Sequence, residues 1–388
     1  MITDGLLMIG VVAGVAGLLI VLEKTTGWKF FKYVPAMVLM YLTITLLNTL
    51  GVFGEADNEA RDALKELRVF LLPAMVFLFL LQCDIKKIIQ LGPKLLITFF
   101  VTAVSIFAAF ILSFLIFQPL LPEGSDKALG ALLGSWTGGS ANMAAVQGMV
   151  GVPESAFGIA LITDTVMYSV WLMLMFSAVV FSGAFNRFTK ADTAYLDRHI
   201  QNAQVEKGAI NLTNLAGLTF GSLLVSAVAL RLGSWLEEAI PSIADAVNAT
   251  SWTIIIVSVL GLIIAQTRLG KIAGSHEVGT LMLFMVIGQL ASGSDFAAIA
   301  EGGWFLLAGA VVLLIHAVLM LIYAKLTKTD LFSVVVASVA NVGGMASAPV
   351  VAGTFSRHLV PVGVLFALLG SILGTWIGYG GAQVMMGL

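Results

Sequence analysis

Apolar residues run along this chain in blocks of membrane length, parted by short polar stretches. The blocks lie near 5–22, 34–53, 69–83, 94–117, 127–150, 155–182, 210–231, 251–267, 277–291, 303–326, 331–354 and 358–380. A helix that crosses the hydrocarbon core needs about 20 such residues. The pattern therefore predicts an all-α polytopic membrane protein. Two of the twelve blocks, 127–150 and 331–354, differ from the others. Each is rich in Gly, Ala and Ser and turns polar at its middle. The first reads Gly134-Ser135-Trp136-Thr137-Gly138-Gly139-Ser140-Ala141-Asn142, the second Ser338-Val339-Ala340-Asn341-Val342-Gly343-Gly344-Met345-Ala346-Ser347. Gly-Gly is a poor helix interior. Backbone freed by a break at membrane depth survives only against protein or a water-filled cavity.

Polar punctuation divides the chain. The long polar stretch 183–208, with Arg187, Lys190, Asp192, Asp197, Arg198, Glu206 and Lys207, separates a first repeat, 1–182, from a second, 209–388. A second polar stretch, Glu55 to Arg68, reads as a short surface helix. The halves look related. Gly138-Gly139, Gly148 and Gly158 fall 205 residues before Gly343-Gly344, Gly353 and Gly363. The pattern Asp84-x3-Ile88-x3-Gly92-x2-Leu95-Leu96 recurs 211 residues later as Asp295-x3-Ile299-x3-Gly303-x2-Leu306-Leu307. Two ordered blocks at nearly one offset indicate an internal repeat.

Composition agrees. Hydrophobic residues make up 59% of the chain and charged residues 11%, against about 25% charged in soluble domains, so lipid is the solvent for most of this surface. The net charge of −2 predicts no nucleic-acid partner. The lone Cys83 excludes an internal disulfide and any multi-cysteine metal site. Met1 to Gly10 lacks a basic stretch and contains Asp4, so the first block predicts a retained helix.

Charge tests how the glycine-rich blocks sit. If both enter and leave on one side, with the N-terminus outside, inside loops hold 15 of the 20 Lys and Arg residues. If both cross fully, the best split is 12 against 8. The positive-inside rule favours re-entrance. That leaves about ten transmembrane helices and two re-entrant or broken hairpins. Five spans per half set the second repeat upside down.

Several polar residues fall inside apolar blocks. Asp164 lies well inside one span, where a carboxylate is costly and by default functional. Its alternative role is a hydrogen-bonded packing residue. As an ion-coupling group it would hold Na+ or a proton, with Thr163, Thr165 and Ser338 as neighbouring oxygens. Asn142 and Asn341 flank the breaks. With Ser135, Thr137, Gly138, Gly139, Ser140, Gly343, Gly344 and Ser347 they form the candidate substrate site, because half-helix N-termini attract anions. The alternative is close-packed helix interfaces. Gln147, Gln289 and Asn48 read as helix–helix hydrogen bonds, and His316 as a proton relay or a packed neutral ring. Trp28, Trp252, Trp304 and Trp376 fit an interfacial belt. No Walker loop or His–Glu metalloprotease motif is present.

The run from Gly134 to Ala145, Asp164, and the run from Ala340 to Pro349 together resemble the membrane family known as domain of unknown function 819, over nearly the whole chain. That layout is similar to the sodium/glutamate and sodium/citrate symporters. The resemblance implies paired hairpins in inverted repeats, an elevator motion and a homodimer. The expected function is secondary transport of a small anionic organic solute coupled to Na+ or H+, without catalysis or a cofactor, in a bacterial inner membrane. Segments 69–182 and 277–380 would form a mobile core, and 5–53 and 210–267 a scaffold. The rival readings are a cation/proton antiporter using Asp164 and an intramembrane enzyme.

Overall fold

The computed structural model describes residues 2–32, 36–54, 59–191, 193, 209–241, 248–293, 302–356 and 359–388. Most of the expected linker, Asp295 and Ile299 of the repeated motif, and Arg357 lie outside them. Among the described residues the structure is helical and without strands. The first half runs α1 (Gly5–Thr26), α2 (Ala36–Thr49), α3 (Glu59–Leu80), a short α4 (Ile85–Ile89), α5 (Gly92–Phe117), α6 (Ser125–Gly138), α7 (Ser140–Val150), α8 (Glu154–Ala178) and α9 (Ser182–Thr189). The second runs α10 (Leu212–Ala239), α11 (Ala249–Ala265), α12 (Ser275–Ser292), α13 (Gly303–Thr327), α14 (Leu331–Val342), α15 (Gly344–Phe355) and α16 (Val360–Met386). Apart from α4 and α9, the helices of the first half have counterparts in the same order among the described residues of the second, and α5 and α13 both begin at the glycines matched in sequence.

Local chemistry sets the helix ends. The Asp4 carboxylate accepts from Leu7 N at 2.7 Å and starts α1; Gly27, left-handed at φ 61°, ends it. Asn211, Asn248 and Asp330 cap α10, α11 and α14 in the same way. Six of the described helical stretches are long and apolar enough to cross a membrane, including α1, α5, α10, α13 and α16 whole. The sixth, Glu154–Thr189, runs from α8 through α9, so helix continues into the segment expected to be a polar linker.

The other four expected spans fall on α2, α3, α11 and α12. Of these α2 and α11 have 14 and 17 residues. The stretch expected as a short surface helix is a correction: 59–68 are the first turns of α3, which continues unbroken to Leu80. The reason is that its two arginines have buried partners, described below.

Both glycine-rich blocks break and fold back. In the first, a Cβ on Gly134 would lie 3.1 Å from Val146 Cγ2, and one on Gly124 would lie 3.1 Å from the Pro153 ring. These pairs straddle Gly139, so α6 and α7 lie side by side. In the second, the Phe332 and Phe355 rings meet edge to face at 5.4 Å, closing the base of α14–α15. Gly139 at φ 102° and Gly344 at φ 60° make the turns, in backbone regions open to glycine.

Helix α16 packs closely along the first hairpin through facing glycines. Gly378 faces Gly134, where an added Cβ would lie 2.7 Å from Gly134 Cα, and Gly374 faces Gly138 at 2.9 Å. Gly130 faces Ala382 in the next turn. Backbones this close gain dispersion that lipid cannot supply.

Candidate functional site

The two tips meet. A Cβ on Gly344 would lie 3.6 Å from Gly139 Cα. Beside them opens a cavity of about 330 Å³, lined by Ser135, Gly138, Gly139, Ser140, Asn142, Gly343 and Gly344 from the tips. Helix α8 adds Asp164, Thr165 and Tyr168. The far wall is apolar: Met37, Val76, Phe79, Leu80 and Leu283. His276, exposed at the start of α12, stands edge-on to Phe79 at 5.6 Å and marks the rim.

Asp164 sits at the cavity because α8 passes the last turn of α6. One carboxylate oxygen accepts from Ser135 Oγ at 3.1 Å, the other from Trp136 Nε1 at 2.8 Å. The Trp136 ring is fully buried and packs edge-on against Phe110 at 5.3 Å, which fixes the donor. Ser135 O also accepts from Gly139 N at 2.7 Å, so the carboxylate lies within a helical turn of the tip. A carboxylate has about four acceptor sites. Two are used here, and the rest are free for a ligand. Tyr168 follows Asp164 by one turn on the same face.

The structure brings together only part of the expected set. Ser135, Gly138, Gly139, Ser140, Asn142, Gly343, Gly344, Asp164 and Thr165 share the cavity. Asn142 Oδ1 accepts from Thr375 Oγ1 at 2.7 Å, which ties the first tip to α16. Thr137 is buried, its hydroxyl donating to Leu133 O at 2.8 Å. Asn341 lies off the cavity, fully buried, with Nδ2 on Ala337 O at 2.9 Å. Asn142 follows its break whereas Asn341 precedes its own, so the two are not equivalent positions. Ser347 stands behind Gly343 beside Tyr168. Thr163 turns its methyl to Gly309 of α13, 2.8 Å from where a Cβ would stand.

Ser338 belongs to a separate buried chain. Its Oγ accepts from Trp171 Nε1 at 3.0 Å and bonds His316 Nε2 at 2.9 Å. His316 Nδ1 meets Ser105 Oγ at 2.7 Å, and that hydroxyl donates to Thr102 O at 2.7 Å. With its proton on Nδ1, a neutral imidazole satisfies every member. The ring joins the second hairpin to α5, α8 and α13.

At the opposite end, α3 carries a buried arginine, Arg61, and a half-buried one, Arg68. Arg68 donates to Gln147 Oε1 at 2.6 Å, and Arg61 to Asn48 Oδ1 at 2.6 Å and Gly54 O at 3.1 Å. Gln289 Nε2 donates to Glu154 Oε1 at 3.1 Å. Gln147, Gln289 and Asn48 therefore act between helices, away from the cavity. Among the described residues no group of three His, Cys, Asp or Glu is placed to hold a metal.

Sequence reasoning missed Trp136 as a site residue, with Tyr168, His276 and the apolar wall. Tyr168 was visible as a polar aromatic four residues after Asp164; the wall, drawn from α2, α3 and α12, left no local signal.

The comparisons add a family. A family model described as protein of unknown function (DUF819) matches residues 10–388. The chain is also 21% identical over 324 residues to the uncharacterized membrane protein YjcL of Bacillus subtilis (strain 168), covering 80% of this chain and 81% of that one.

Proposed function

Starting from an integral membrane protein that belongs to the DUF819 family, we propose that it is a secondary active transporter of a small organic solute. One observation carries this reading: two separate fold-back hairpins meet tip to tip beside a cavity that holds a carboxylate. Broken elements meeting at a central site recur in secondary transporters, where they form the binding site for alternating access. In this reading α2, α3, α11 and α12 complete ten crossings, and both hairpins are re-entrant. The recurring element order supports two repeats, and five crossings in each set them in inverted topology.

Segments 69–182 and 277–380 move as the transport core against a scaffold of 5–53 and 210–267, through which two copies associate. The rim lies at the C-terminal end of α3 and the N-terminal end of α12, near the basic residues Lys86, Arg268 and Lys271. By the positive-inside rule that rim faces the cytoplasm. Asp164 meets the positive charge moved by the cycle.

Uptake into proteoliposomes of a panel of amino acids, amines and carboxylates, under sodium or proton gradients, tests the reading. Gradient-dependent uptake is expected, with Asp164→Asn reducing it at least tenfold while eluting as folded protein. Absence of uptake under either gradient, or uptake untouched in Asp164→Asn, counts against it.

A further inference from the structure

We infer that the solute presents a primary ammonium group to Asp164 and an apolar body to the far wall. This rests on the transport reading and departs from the anionic solute expected from sequence. The reason is charge. Among the described lining residues Asp164 is the sole carboxylate, and none is Lys or Arg. An anion entering would meet the Asp164 carboxylate with no Lys or Arg to offset it, and His276 stands only at the rim. The partial charges of half-helix ends are weak compensation, because the tips carry two helix C-termini beside two N-termini.

The geometry suits an amine. Asp164 already spends one acceptor site per oxygen on neutral donors, Ser135 and Trp136. Its remaining lone pairs call for a charged donor, and an ammonium has three N–H bonds. Tyr168, one turn from Asp164, also lines the cavity, and aromatic faces attract cations. Thr165, Ser140 and Ser371 offer further hydroxyls. Opposite these, Met37, Val76, Leu80 and Leu283 receive hydrocarbon. A cavity of about 330 Å³ holds an amine with a branched aliphatic or single-ring body.

Three probes sharing one hydrocarbon body decide the matter: L-leucine, 3-methylbutylamine and 4-methylpentanoate. Binding to the wild-type protein in nanodiscs is followed by calorimetry, with the phenyl analogues as a second set. Leucine or the simple amine should bind at least tenfold more tightly than the acid. If leucine leads, the tips also receive its carboxylate; if the simple amine leads, Asp164 acts alone. Either result supports the proposal. Equal or tighter binding of the acid, or no binding of any amine in either set, overturns it. Asp164→Asn should weaken the leading amine at least tenfold. The probe comparison uses wild-type protein throughout, so a misfolded variant cannot blur it. Proteoliposome uptake separates the two claims. Amine binding without uptake sinks the transport reading and spares the site, whereas uptake of acid alone sinks the ammonium.

Discussion

Arg68 lies more than two turns into α3, yet its guanidinium ends on Gln147 Oε1 of the first hairpin at 2.6 Å. The bond joins the first hairpin to α3 at the residue just before the proposed moving core begins. Arg68→Met leaves the Gln147 oxygen without this donor and should cost about 1–3 kcal/mol. Gln147→Leu alone leaves a half-buried guanidinium short of an acceptor. The double variant should be less destabilised than the sum of the singles, by at least about 0.5 kcal/mol in unfolding experiments. Strict additivity would show that the contact contributes little. Asp164 and Arg68 also mark how far single residues could be read from sequence. An acid in an apolar run announces itself, because lipid penalises it wherever it faces. An arginine among other charges does not, because burial of one side of a helix leaves no trace in a mixed polar run.

Glycine does different jobs in different elements. At Gly344 it supplies the left-handed turn of the second hairpin, and Gly344→Ala should cost roughly 1–2 kcal/mol from backbone strain. In α16 it supplies closeness. Gly378→Val would drive a side chain into the Gly134 backbone, whereas Gly380 has nothing within 4 Å of an added Cβ. Gly378→Val should lower Tm and expression, and Gly380→Val should match wild type. Equal Tm for the pair would mean that the α6–α16 contact does not hold the fold. The paired breaks were legible in sequence, since Gly-Gly within a membrane-length block conflicts with a continuous helix. The ladder on α16 was not, because only the docked partner distinguishes packed glycines from lipid-facing ones.

For the whole molecule, the hairpins' direction in the membrane is open to direct test. Single cysteines at Pro153 and Lys328, both exposed, in a Cys83→Ser background should label from opposite sides, the first from outside and the second from inside. Labelling of both from one face would remove the inverted repeat and leave the cavity without a defined route. What the sequence determined alone was the class of solvent, the helical content, the two breaks and the costly carboxylate. Each follows from a rule that acts along the chain: helix length against bilayer thickness, backbone satisfaction, and charge in hydrocarbon. Tertiary structure decided which polar groups meet. Asn142 reaches the cavity and Asn341 does not; Thr165 faces it and Thr163 turns to Gly309; Trp136 holds Asp164. Those choices depend on how each helix is rotated about its axis and where each hairpin folds back. In lipid, where apolar surface has no preferred side, the hydrophobic pattern does not specify that rotation; only close contact between helices does.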